Sequence, residues 1–168
     1  GHECFASPLN RHSNNHSHCS LFYDVDRFFG SKGSFFDWLP QETLWPQAFE
    51  CNPPYDNMSV KACFRHIRNI LARGHPVTFI VIVPLRFAEE EMPREDPCVT
   101  FFEVARANEH VFQMGMQHRR TAETRYNPGG STEWIMDKDT AILFLQNDSG
   151  RRAKPIHVHE VQHVMASF

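Results

Sequence analysis

The sequence predicts an α/β domain built on a central, mostly parallel sheet with helices on both faces, and three observations carry that reading. The run "VTFIVIVPL" at 77–85 is apolar at nearly every position, the pattern of a strand covered on both faces in the middle of a parallel sheet. In "NMSVKACFRHIRNILARGH" (57–75), Val60, Cys63, Phe64, Ile67, Ile70 and Leu71 recur at helical spacing. The apolar run "AFEC" (48–51) precedes that helix, so strand, helix and central strand follow one another as a right-handed crossover unit.

Taken in order, "ECFAS" (3–7), "LFYDV" (21–25), "AFEC" (48–51), "VTFIVIVPL" (77–85), "HVFQMGM" (110–116) and "TAILFLQN" (140–147) read as strands. Ser59 is the expected N-cap of the helix over 57–75, and Gly74 its stop. "FAEEEMPREDP" (87–97) reads as a charged loop, followed by a second helix over 97–109 with Val99, Phe101 and Phe102 facing inward. The strands at 110–116 and 140–147, separated by the loop 117–139, are expected to close a terminal antiparallel hairpin. The tail after Asn147 is polar apart from "IHVHEVQHVM".

With 168 residues and 41% hydrophobic content, the chain suits a single domain burying roughly two-thirds of its unfolded surface. The net charge of −3 supplies no global basic field, so a nucleic-acid partner requires a local patch. Cys4, Cys19, Cys51, Cys63 and Cys98 are odd in number and lack a CxxC pair, which fits reduced thiols in a nuclear or cytoplasmic setting. No apolar run nears the roughly 20 residues of a membrane span, and no membrane partner is expected. The leading Gly1-His2 reads as an appended dipeptide, and the start within an apolar stretch as a fragment of a longer chain.

The chemistry concentrates in "NPPY" (52–55), at the carboxyl end of a strand, where open α/β sheets place their ligands. Proline fixes φ and lacks an N–H, and the residue before it is held extended, so Asn52 and Pro53 are both constrained. An exocyclic amine on an aromatic base is a weak nucleophile because its lone pair is delocalised. The Asn52 side-chain oxygen and the Pro53 carbonyl would accept both its N–H bonds and stabilise the charge that develops during attack. Pro54 holds the turn, and Tyr55 would stack on the base. The competing reading is a stiff turn with Asn52 as a cap. The two acceptors fit adenine and cytosine alike, and the chemistry requires no metal.

"(N/D/S)PP(Y/F/W)" at such a strand end resembles the signature of amino-group methyltransferases. The similarity extends through "ECFASPLN" (3–10), "DRFFGSKGSFFDW" (26–38), "FECNPPYD" (49–56), "TFIVIVP" (78–84), "QMGMQH" (113–118) and "TAILFLQND" (140–148). These stretches resemble the catalytic domain of the phosphorylated CTD-interacting factor 1 family, cap-specific adenosine N6-methyltransferases. The resemblance implies a class I, Rossmann-like methyltransferase domain over 1–168, with a seven-stranded sheet whose last strand is antiparallel and "FFDWLP" (35–40) as the third strand.

It also implies S-adenosylmethionine as cofactor. Glu3, Ala6, Ser7, Pro8 and Asn10 become cofactor-loop candidates despite the lack of a Gly-rich loop. Asp24 is expected at the end of the second strand to accept from ribose hydroxyls, followed by Phe29, Gly30 and Ser31. The bland readings are turn residues for Asp24 and Gly30 and core for Phe29. The implied substrate is the capped mRNA 5′ end at its first adenosine, with Arg86, Arg119, Arg120 and Arg125 as phosphate contacts in place of mere solvated loops. Non-cap RNA or DNA, or a non-catalytic interaction module, are the alternatives. Family resemblance further implies a preceding helical substrate-binding domain, contact with the phosphorylated RNA polymerase II tail through other regions, and a nuclear location.

Two histidine features stand apart. "HEVQH" (159–163) matches the HExxH zinc motif but has no obvious third ligand nearby except His157. "RHSNNHSHCS" (11–20) holds His12, His16, His18 and Cys19 at loose spacing and reads as a polar surface segment.

Overall fold

A computed structural model of the chain describes residues 1–11, 17–40, 47–105, 111–113, 133–135 and 139–166. In chain order the strands are β1 (His2–Glu3), β2 (Ser17–His18), β3 (Gln47–Cys51), β4 (Val77–Pro84), β5 (Val99–Ala105), β6 (Val111–Gln113), β7 (Glu133–Ile135) and β8 (Thr140–Gln146). The helices are α1 (Tyr23–Asp26), continued by a 3-10 turn over Arg27–Phe29, then α2 (Asn57–Leu71), α3 (Leu85–Glu91), α4 (Asp148–Ala153) and α5 (Val158–Met165).

Six strands form one sheet in the order β2-β1-β3-β4-β8-β5. The first four are parallel, and β8 runs antiparallel to both β4 and β5. The last strand in sequence is therefore the reversed one. A seventh strand at 35–40 does not form: Phe35–Asp37 is a turn, and beyond β2 there is one isolated parallel bridge, His18 to Ser31. Prolonged pairing is unavailable there because Ser31 is followed closely by Gly33 at φ 89°.

The crossover unit β3–α2–β4 is as expected. Val60, Cys63, Phe64, Ile67, Ile70 and Leu71 are the buried residues of α2, each worth roughly 1.5–3 kcal/mol on burial for the larger apolar side chains. They pack on the sheet face that presents Phe49, Cys51, Phe79, Val81, Leu143 and Leu145. On the opposite face, Ile142 and Phe144 meet Val161 and Val164 of α5. Helices thus cover both faces of the β4–β8 centre, which accounts for the near-continuous apolar runs of those strands.

Several expectations are corrected. Residues 99–105 form a strand and not a helix. Phe102 packs into the first cluster and Phe101 into the second, a two-residue alternation that coverage on both faces hides in the sequence. The stretch 87–97 is only partly loop, because α3 buries Phe87 and Ala88. The segment 21–25 turns into α1, where the Phe22 carbonyl accepts from Val25 and Asp26 N–H at 3.2 and 2.8 Å. A five-residue apolar run does not distinguish helix from strand. β8 pairs with β4 and β5 in place of a terminal hairpin with β6, which pairs with β7. The 11–20 segment contributes β2, with His18 and Cys19 fully buried. His2 is the first residue of β1 and is 5% exposed.

Candidate active site

The loops leaving the carboxyl ends of β1, β2 and β3 converge on one edge of the sheet. β1 lies between β2 and β3, and at about 4.8 Å per strand the outer two are roughly 10 Å apart. The pairing continues past the strands. Cys4 N–H donates to Glu50 O at 2.8 Å and Ala6 N–H to Cys19 O at 3.0 Å, fixing where the first loop departs.

Asn52 follows β3 directly and is exposed, Pro53 is buried, Pro54 is exposed and Tyr55 is half-buried against the main core. Asp56 then caps α2, its Oδ1 accepting from Ser59 N–H at 2.9 Å. The cap is Asp56 and not Ser59, which sits three residues further on as the donor. That hydrogen bond holds the Asp56 carboxyl below the usual carboxylate range. The four-residue motif is consequently held between a sheet strand and a capped helix, leaving the Asn52 side chain in solvent. Burial pushes the Tyr55 phenol up to about 12, so its hydroxyl is neutral at physiological pH.

In the first loop, Ser7 and Asn10 close a turn on each other. Asn10 Oδ1 accepts from Ser7 N–H at 2.6 Å and Ser7 Oγ at 2.9 Å, and Asn10 N–H donates back to Ser7 O at 3.2 Å. Ala6 and Pro8 are half-buried in the same loop, and Glu3 lies at the end of β1. Asp24 is not at a strand end: it occupies the first turn of α1, exposed. The neighbouring carboxylate Asp26 is the buried one. Phe29 is exposed, not core, and Gly30 at φ 95° caps the 3-10 turn with its N–H on Arg27 O. A positive φ of that size favours glycine. Ser31 is buried and its Oγ is 2.7 Å from Ser20 Oγ.

His18, Ser20 and Asp26 are buried at this edge, where a polar surface segment was expected over 11–20. Only the juxtaposition of 17–20 with 31 identifies them, and polar two-residue strands carry no periodic signal. Arg86 is exposed on α3 with its guanidinium 4.5 Å over the Phe87 ring, beside a cleft lined by Pro84, Leu85, Glu89 and Asp139. It lies past the end of β4, the strand next to β3. Arg119, Arg120 and Arg125 lie outside the described residues.

The HExxH match resolves into helix capping. Glu160 accepts from His157 N–H at 2.9 Å in a capping box that starts α5. No group of three His, Cys, Asp or Glu side chains able to hold a metal ion occurs among the described residues.

An open mixed α/β sheet with an exposed amide, two prolines and a half-buried phenol ring just past one of its parallel strands is compatible with a Rossmann-like fold and makes that turn the candidate site. Residues 1–113 match the family model described as "Phosphorylated CTD interacting factor 1 WW domain", and the chain belongs to that family. The described part of those residues contributes β1–β6 and α1–α3.

The chain is 34% identical over 158 residues to the human protein named "mRNA (2'-O-methyladenosine-N(6)-)-methyltransferase". It is 33% identical over 158 residues to the mouse protein of the same name. In both cases the match takes in 88% of this chain and 20% of the relative. The chain thus spans about a fifth of the length of the curated relatives it matches.

Proposed function

We propose that this chain is the catalytic, class I methyltransferase domain of an S-adenosylmethionine-dependent mRNA adenosine-N6 methyltransferase acting on the first transcribed 2'-O-methyladenosine beside the 7-methylguanosine cap. The observation that carries the reading is Asn52, exposed at the carboxyl end of β3 with its backbone pinned between strand and capped helix. The names of the human and mouse relatives support the substrate.

The residues at the β1–β2 edge suit the cofactor chemically. The exposed Asp24 carboxylate can accept from ribose hydroxyls, the Gly30 turn admits close backbone approach, and Phe29 offers an apolar face. Glu3, Ala6, Ser7, Pro8, Asn10 and Ser31 complete that wall. When bound, S-adenosylmethionine supplies an electrophilic methyl group. The chain's own part is placement and fixed dipoles. Asn52 Oδ1 and the Pro53 carbonyl accept the two amine N–H bonds and stabilise the positive charge that grows on nitrogen. Tyr55 supports the base ring. Arg86, Arg119, Arg120 and Arg125 are proposed as phosphate contacts. A nuclear location, and contact with the polymerase tail through other parts of the protein, accompany this reading.

The test is methyl transfer from labelled cofactor to capped and uncapped RNAs differing only in the first nucleotide, using the full-length protein. Transfer only to capped RNA beginning with adenosine is expected. Equal transfer to uncapped RNA or to DNA would remove the cap assignment, and cofactor binding without transfer to any of them would leave a non-catalytic module.

A further inference from the structure

Residues 21–29 carry the most exposed concentration of large apolar side chains among the described residues. Leu21, Phe22, Tyr23, Val25, Phe28 and Phe29 are all exposed, Phe22 at 64% and Phe28 at 76%. Scattered exposed apolar residues need no explanation, but a contiguous set marks a binding surface. This set is displayed by a pinned backbone: α1 starts on the Phe22 carbonyl, Asp26 is buried, Ser31 N–H donates to Asp26 O at 3.2 Å, and Gly30 caps the turn.

We propose that this ridge stacks nucleotides of single-stranded RNA flanking the target adenosine, with Phe22 and Phe28 as the rings and Arg27 and Lys32 as phosphate contacts. The inference rests on the RNA-methylation reading above and adds a substrate subsite to it. Three observations select RNA over a covering protein.

First, the ridge leaves the carboxyl end of β2 with only β1 between it and the strand that carries Asn52. That spacing of roughly 10 Å is within reach of the nucleotides adjoining a base held there. Second, rings and cations interleave: the Arg27 guanidinium lies 4.8 Å over the Phe28 ring, and base, ring and guanidinium stacking is how sequence-tolerant single-strand sites are built. Third, the exposed charges of residues 21–32 are the two cations Arg27 and Lys32 against the single acid Asp24, the second acid, Asp26, being buried.

The experiment measures binding of a fluorescent capped single-stranded RNA to the full-length protein by anisotropy, for wild type, Phe22→Ala, Phe28→Ala, Phe28→Tyr and Lys32→Ala. Cofactor calorimetry and thermal melting report the fold. Each ring truncation is expected to weaken RNA binding about tenfold with cofactor affinity and melting unchanged. Phe28→Tyr should restore binding, and Lys32→Ala should reduce the salt slope by about one. RNA affinity unchanged in both ring truncations overturns the platform while leaving methyl transfer intact. The same result with release of another part of the protein on limited proteolysis assigns the ridge to a protein interface instead. A wild type that binds cofactor but no RNA sinks the RNA reading itself.

Discussion

His2 stacks on Trp38 with ring centroids 4.2 Å apart and planes 7° from parallel. Phe49 meets the same imidazole edge-on at 5.7 Å, while Ser17 Oγ and Cys19 Sγ hydrogen-bond its two nitrogens at 2.6 and 3.2 Å. An imidazole so enclosed is hard to charge, and burial first, then the neighbouring His18 and Lys32, hold it down at about 4. The unfolded chain takes up that proton near pH 6.5. The stability from neutral His2 is therefore full above pH 6.5 and lost as pH falls towards 4, up to about 3 kcal/mol at one pH unit per 1.36 kcal/mol. Chemical denaturation from pH 7 to pH 4 should show this loss, and His2→Phe should flatten it. A flat profile in the wild type would contradict the buried neutral imidazole.

Asn52→Ala should lower methyl transfer by about 100-fold or more, the scale of losing one preorganised hydrogen-bonding group around developing charge. The side chain is exposed, so melting and cofactor affinity should hold within about 0.5 kcal/mol. Parallel loss of cofactor binding would move Asn52 out of the amine site.

Asp56→Ala removes the side chain that accepts from Ser59 N–H. A cost of about 1 kcal/mol in unfolding free energy is expected, together with slower transfer, because α2 anchors the far end of the motif. Asp56→Ser should recover most of both. Normal transfer in the destabilised alanine variant would show that the motif keeps its shape without the cap.

Gly150 packs against the start of β4. A β-carbon built there lies 2.5 Å from the Val77 carbonyl oxygen, a backbone atom with little freedom to retreat. Gly150→Ala should cost on the order of 1–3 kcal/mol, as overpacking does, read as a lower midpoint in urea. An unchanged midpoint would mean that α4 shifts freely against β4.

All five cysteines are free, and Cys4, Cys19, Cys51 and Cys63 are buried while Cys98 is half-buried. Burial pushes Cys4 up to about 11 and Cys19 up to about 12, so their thiolates are scarce at neutral pH. Alkylation of the folded protein followed by peptide mapping should label Cys98 first. Early labelling of Cys51, next to Asn52, would reveal opening of the site edge.

The crossover unit, the apolar strand run around Phe79 and the six buried positions of α2 were legible because each is long enough to show its pattern. The position of Asn52, Pro53, Pro54 and Tyr55 between a strand and a helix was legible because an apolar strand run and a helical period flank them. The sequence by itself thus determined the sheet centre, the helix on its first face and the turn that carries the candidate chemistry. Only tertiary structure decided that 99–105 pairs as a strand beside β8, that α1 and not a strand follows β2, and that His2 belongs inside. Those outcomes depend on which faces are covered and which short polar segments find partners, and burial on both sides erases the alternation that would have announced them.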